Sequence, residues 1–130
     1  MTKTDRPRVL VGMSGAHYLH DAAGLIEAEL TVSYEKLIVD HEVIGMCRRV
    51  LRGIEVTDES LSIDVIADTC LNGPGHYLGS EQTLTLMQKD YVYPAIGNRM
   101  SPKEWAEAGK PDIVERAAAR KREILSTYYP

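Results

Sequence analysis

The sequence predicts an α/β chain, predominantly α-helical with one or two strands. Three observations lead there. A short apolar run, Val9-Leu10-Val11, enters a loop dense in Gly, Ala, His and Asp, and a long helical pattern follows, which is the order of one β/α unit. About five helical patterns then occupy most of the chain. Turn chemistry separates them at Gly53, Asn72-Gly73-Pro74-Gly75, Pro94, Gly97 and Gly109.

Taken in order, residues 1–8 are polar and expected to fray. Residues 9–13 are expected to form a short strand. Their apolar side chains run without alternation, as in a strand covered on both faces. Residues 33–52 predict a helix with Ser33 as N-cap and Gly53 just past its end. Its apolar positions (Leu37, Ile38, Val39, Val43, Ile44, Met46, Cys47, Val50 and Leu51) cover most of the circumference, so it is expected to be largely buried. Thr57 caps a second helix, reaching about residue 70, with Asp58 and Glu59 in its positively polarised first turn. Ser80 opens a third, to about residue 89. Ser101-Pro102-Lys103-Glu104 places Ser at the N-cap, Pro at N1 and Glu at N3, a capping box, and Gly109 stops the short helix it opens. Pro111 opens the last helix, to about residue 126. There is no internal repeat. A single strand has nothing in this chain to pair with, although its backbone N–H and C=O groups need partners.

The chain has 130 residues, enough for one domain and too few for a complete (β/α)8 barrel, which takes about 200 or more. A hydrophobic content of 44% and a charged content of 26% mark a globular chain. Phe is absent, so the core must rest on Leu, Ile, Val, Ala and Met. A net charge of −4 argues against a nucleic-acid surface. The basic clusters at Arg48-Arg49-Arg52 and residues 116–122 read as solvated helix faces. Cys47 and Cys70 have neither metal spacing nor a CxxC pattern and read as two buried free thiols in a reducing compartment. No apolar run reaches the roughly 18 residues of a membrane span. The N-terminus MTKTDRPRV lacks a signal-peptide core. A cytoplasmic protein with no membrane partner is expected.

In β/α architectures the loop after the strand carries the chemistry. Here it holds His17, Tyr18, His20, Asp21 and Glu27. His17 and His20 form HxxH, for which a metal would need a third ligand such as Asp21 or Glu27; two histidines carry less constraint than true metal motifs, so no metal is assigned. Asp40 shares a helix face with Val43, Ile44, Cys47 and Leu51, where a carboxylate needs a partner or its pKa rises. A salt bridge or a cap to a neighbouring loop is the plain reading, and a functional role the sharper one. Glu42 lies roughly opposite Asp40 around the helix, so the two carboxylates do not form an acid/base pair. His76, in Gly73-Pro74-Gly75-His76-Tyr77-Leu78-Gly79, either lines a cleft or caps the helix at Ser80. That stretch has no phosphate-loop spacing.

These residues carry a resemblance. The ordered set Gly15-Ala16, His20-Asp21-Ala22, Gly24-Leu25, Glu27, Ser33-Tyr34-Glu35, Asp40, Glu42, Gly45-Met46, Arg48-Arg49 and Arg52-Gly53-Ile54-Glu55-Val56 resembles the trimethylamine methyltransferase family. The set from Gly73 to Gly79, with Thr83-Leu84, Trp105 and Gly109, agrees. The family's usual GPGG step reads Gly73-Pro74-Gly75-His76 here, and its later His-Thr pair reads Gln82-Thr83.

The resemblance covers about residues 9–125 and implies the C-terminal portion of a (β/α)8 barrel, with residues 1–130 as a single partial domain. It implies methyl transfer from a tertiary or quaternary amine, of trimethylamine or glycine betaine type, to a corrinoid (cobalamin) carried by a partner protein. The chain alone would bind no cofactor. It implies a complementary N-terminal barrel segment, or self-association, to complete the strands. His20 is then the candidate catalytic group, with His17, Tyr18, Asp21, Glu27 and His76 facing substrate or cofactor. The alternative is a non-catalytic helical remnant that serves as an interaction or self-association module.

Overall fold

A computed structural model describes residues 5–129. They fall into two compact units, one of residues 5–51 with 93–129 and the other of Arg52–Val92.

In the first unit, α1 (Asp5–Met13) is followed by the loop 14–24. A hairpin of β1 (Leu25–Ile26) and β2 (Thr31–Val32) comes next, then α2 (Tyr34–Arg52). Residues 9–13 are therefore helical, against the expected strand, and so are residues 5–8, against the expected fraying. The rest of the expected frayed stretch, residues 1–4, lies outside the described residues. The reason is hydrogen bonding. A helix closes its own N–H and C=O groups within the segment, whereas a strand requires neighbours. At Gly12 a Cβ would lie 2.5 Å from Leu51 Cδ1, so α1 meets α2 through the end of the Leu51 side chain.

The hairpin pairs Leu25 with Val32 and Ile26 with Thr31, antiparallel. Its turn passes through Glu27, Ala28 and Glu29, all at positive φ, and Thr31 Oγ1 donates to Glu27 at 3.0 Å across it. The Ser33 amide donates to Gly24 O at 2.8 Å, and Ser33 Oγ accepts from the Lys36 amide at 3.2 Å, capping α2 as the sequence predicts.

α2 is not largely buried. Its buried residues are Asp40 and Cys47, while Leu37, Val50 and Leu51 are exposed. Too few elements surround it to cover a helix that is apolar nearly all round. Cys47, Ile96 and Ala117 are the buried apolar residues among those described.

The loop 93–98 and α7 (Ile113–Thr127) pack around α2. Lys121 pairs with Glu35, and Arg116 Nη2 donates to Ala95 O at 2.6 Å. α6 (Pro102–Glu107) opens on the expected capping box. Glu104 N donates to Ser101 Oγ at 3.3 Å, and Ser101 N donates to the Glu104 carboxylate at 2.8 Å. The basic clusters are engaged rather than simply solvated, since Arg52 also pairs with Asp90 at 2.6 Å.

In the second unit, the expected single helix from Thr57 is split into α3 (Asp58–Leu61) and α4 (Ile63–Leu71). Ser62 breaks it with φ 56°. Ser60 completes a capping box with Thr57 at the start of α3. α5 (Glu81–Asp90) follows the glycine-rich loop. Cys70 is exposed, against the expected burial, with its Sγ 3.3 Å from the Tyr77 hydroxyl. Only Cys47 is a buried thiol. No helix among the described residues is long and apolar enough to cross a membrane.

Candidate functional site

The centre of the site is a buried carboxylate. Asp40 projects from α2 with 4% of its surface exposed. Its Oδ2 accepts from the Gly24 amide at 2.9 Å and from Lys36 Nζ one turn earlier, and its Oδ1 accepts from Arg8 Nη2 at 3.2 Å. Arg8 Nη2 also donates to Ala22 O. One carboxylate thus ties α1, both ends of the segment 22–24, and α2 together. Gly24 sits at φ +77°, the left-handed region open to glycine, which is how its amide reaches Asp40. Burial alone would raise the Asp40 pKa. The hydrogen bonds from Lys36 and Gly24 and the charges of Arg8 and Lys36 outweigh it, and the carboxyl lies below its ordinary value. Asp40 is therefore the loop cap and salt bridge that the plain reading expected.

What this clamp holds is the loop with the candidate chemistry. Pro7, Arg8 and Val11 of α1, with Tyr18, Leu19, His20, Asp21 and Ala22, line a cavity of about 330 Å³. Tyr18 is 77% exposed, and its ring centroid stands 6.0 Å from that of His20. His20 Nδ1 is paired with Asp21 Oδ2. When Nδ1–H donates to that carboxylate, a neutral imidazole presents Nε2 as an acceptor.

The structure thus brings Tyr18, His20 and Asp21 to one cavity. It does not bring every expected residue there. His17 is exposed and outside the lining, Glu27 belongs to the hairpin turn, and His76 lies in the loop before α5 of the second unit. Among the described residues, no group of three or more His, Cys, Asp or Glu side chains is placed to hold a metal ion. Gln82 donates to Glu59 O at 2.9 Å and to Ser62 Oγ at 2.6 Å, within the second unit.

Sequence reasoning missed Glu42. Its carboxylate accepts from three successive amides, Ala95 and Ile96 on Oε2 and Gly97 on Oε1, each at 2.6 Å. Consecutive amides in a turn form an anion-binding concavity, here filled by the protein's own side chain. At Gly97 a Cβ would stand 3.0 Å from Glu42 Oε1, so this turn needs glycine for close approach. The interacting residues are more than 50 positions apart, and no local signal marks them.

The profile of the trimethylamine methyltransferase (MTTB) family matches residues 5–130, and the chain belongs to that family. A glycine betaine methyltransferase of Desulfitobacterium hafniense strain Y51 is 29% identical over 119 residues, 91% of this chain and 24% of the relative. A trimethylamine methyltransferase MttB of Desulfitobacterium hafniense strain DSM 10664 / DCB-2 is 29% identical over 121 residues, 93% of this chain and 24% of its own length. The MttB of Methanosarcina barkeri strain Fusaro is 28% identical over 121 residues, 92% of this chain and 23% of the relative. The chain therefore spans about a quarter of the length of the curated relatives it matches.

Proposed function

We propose that this chain is the C-terminal part of a (β/α)8 methyltransferase. The whole would move a methyl group from a tertiary or quaternary amine to the corrinoid of a partner protein, and this part would act only when the rest of the barrel is supplied. The family membership supports the reaction class, and the names of the relatives support the amine class. The observation that carries the site is the cavity shared by Tyr18, His20 and Asp21.

A cavity of about 330 Å³ suits a small amine, and the methyl acceptor would be the corrinoid carried by a partner protein. The cobalt of that acceptor supplies the nucleophile. This chain's share is binding and orientation. A quaternary ammonium favours an aromatic face, which Tyr18 offers, and a nearby carboxylate, which Asp21 offers. His20, oriented through Nδ1 by Asp21, would contact the substrate or accept a proton at Nε2. The Asp40–Arg8 clamp holds the loop that presents them. Cys47 and Cys70 are in no disulfide, which suits a reducing compartment, and we read the protein as cytoplasmic.

The test is His20→Ala in an enzyme reconstituted from this chain and the complementary barrel portion. Absorbance reports the conversion of Co(I) to methyl-Co(III), with several methylamines and glycine betaine as donors. Turnover should fall at least about tenfold, as for a positioned acid/base or orienting group. Unchanged turnover would remove His20 from the site.

A further inference from the structure

A second, larger cavity lies in the first unit and shares no lining residue with that of Tyr18, His20 and Asp21. About 630 Å³ in volume, it opens between the loop 94–100, α6 and the first turns of α7. Arg99 and Arg116 bring two guanidinium groups to its wall, and Glu104 and Glu107 bring two carboxylates.

Opposite charges around one space ordinarily pair. Among the described residues, neither arginine pairs with either glutamate. Other contacts hold three of the four groups in place. Arg116 Nη2 donates to Ala95 O at 2.6 Å, a neutral acceptor that leaves the guanidinium charge uncompensated. Glu104 accepts from the Ser101 amide at 2.8 Å, and Ser101 keeps its carboxyl below the ordinary value, so it is ionised at neutral pH. Glu107 stands 3.9 Å from Lys103 with both side chains mostly exposed, an ion pair of little worth that a ligand replaces easily. Arg99 is exposed and makes no hydrogen bond or ion pair among the described residues. Beside it, Asn98 Oδ1 accepts from the Met100 amide at 2.8 Å, which leaves the Asn98 NH2 group to donate. Met100 and Pro94 add apolar surface.

The chain thus keeps two positive and two negative groups unpaired with one another around a space of ligand size. A phosphate or other simple anion would answer the arginines and meet the glutamates as like charges, and a simple cation would do the opposite. A molecule that carries both charges satisfies both. The planar fork of a guanidinium matches a carboxylate, and a carboxylate accepts from an ammonium.

We infer that this cavity binds a small zwitterion of the α-amino-acid class. Its carboxylate lies on Arg99 and Arg116, its ammonium on Glu107, and an apolar side chain against Met100 and Pro94. The site is separate from the cavity assigned to methyl transfer, and the inference stands whether or not that assignment holds.

The probe is leucine, titrated at neutral pH into the isotope-labelled full chain and followed by amide NMR shifts. Gly97, Asn98, Arg99, Met100 and Ala108 should shift saturably, with a Kd of about 1 mM or tighter. Isocaproate, which is leucine without its ammonium, and leucinamide, which lacks the carboxylate, should each bind at least about tenfold more weakly. Arg99→Gln and Glu107→Gln should each weaken leucine binding about tenfold. Both side chains are exposed, and circular dichroism checks that each variant keeps its helices. Arg120→Gln removes a charge one turn beyond Arg116, outside the cavity lining, and should change binding less than about twofold.

No saturable shift with leucine, or shifts confined to residues 18–22, would overturn the proposal. Isocaproate binding as tightly as leucine would make this a plain anion site, and equal binding of leucinamide a plain cation site; either result refutes the zwitterion. So would Arg99→Gln or Glu107→Gln, with helices intact, binding leucine as the wild type does.

Discussion

Replacing Asp40 with Leu removes the one acceptor shared by Gly24, Lys36 and Arg8, and the cost can be built partner by partner. Gly24 is buried, so its amide loses its acceptor without gaining water, at about 1–3 kcal/mol. The Lys36 side chain is 29% exposed and turns to solvent at little cost. The Arg8 side chain is 12% exposed and keeps Ala22 O, so its loss of a counter-charge adds about 1 kcal/mol, well below the figure for a fully buried ion pair. Leu gains little here, because the pocket that held the carboxylate is lined by donors. The net destabilisation is about 2–3 kcal/mol, read as a shift in denaturant midpoint at constant slope. Hydrogen exchange should also show the Gly24 amide released. Asp40→Asn keeps an acceptor for Gly24 and should lose about half as much. A midpoint for Asp40→Leu at or above that of the wild type would refute the clamp, as would an unchanged Gly24 amide.

Acid should act through the same carboxylates. Asp40, Glu35 and Glu104 all lie below their ordinary values: Asp40 despite its burial, Glu35 chiefly through Lys121, and Glu104 chiefly through Ser101. Lowered folded-state values give stability that is present above the unfolded range of about 3.9–4.3 and lost as pH falls through the folded values. Stability should be flat above about pH 5 and fall below about pH 4, and Asp40→Asn should make that fall shallower. An equally steep acid limb in the variant would contradict the assignment. Glu42→Ala should cost about 2–4 kcal/mol by leaving three amides beside buried Ile96 without their acceptor, while Glu42→Gln, which keeps one oxygen, should cost less. Thermal midpoints of the two variants check this, and a Glu42→Ala midpoint equal to that of the wild type would contradict it.

Local chemistry was legible in the sequence, and long-range chemistry was not. The Ser33 cap and the Ser101–Glu104 box work within one helical turn and appear as expected. Asp40 could be singled out because a carboxylate on an apolar helix stripe must find donors. Residues 9–13 misled because an apolar run of five suits a strand or a helix equally, and only the availability of neighbours decides between them. The hairpin at residues 25–32 was hidden because its turn places Glu27, Ala28 and Glu29 at positive φ without a glycine or asparagine to signal it. The break at Ser62 and the amide turn around Glu42 likewise depend on distant partners, Gln82 in one case and residues 95–97 in the other. The expected burial of α2 failed for a related reason. Amphipathicity shows which face seeks cover, and it cannot show whether the covering elements belong to the same chain.

Methyl transfer measured with and without the complementary barrel portion tests the central claim most directly. On the proposed reading the site would draw on residues from several parts of a barrel, and positioning supplies much of the rate, so this chain alone should leave a Co(I) corrinoid protein unmethylated. Adding the complementary portion should produce methyl-Co(III) with a methylamine or glycine betaine as donor. Turnover by the lone chain, or none from the reconstituted pair with any of these amines, would contradict the account.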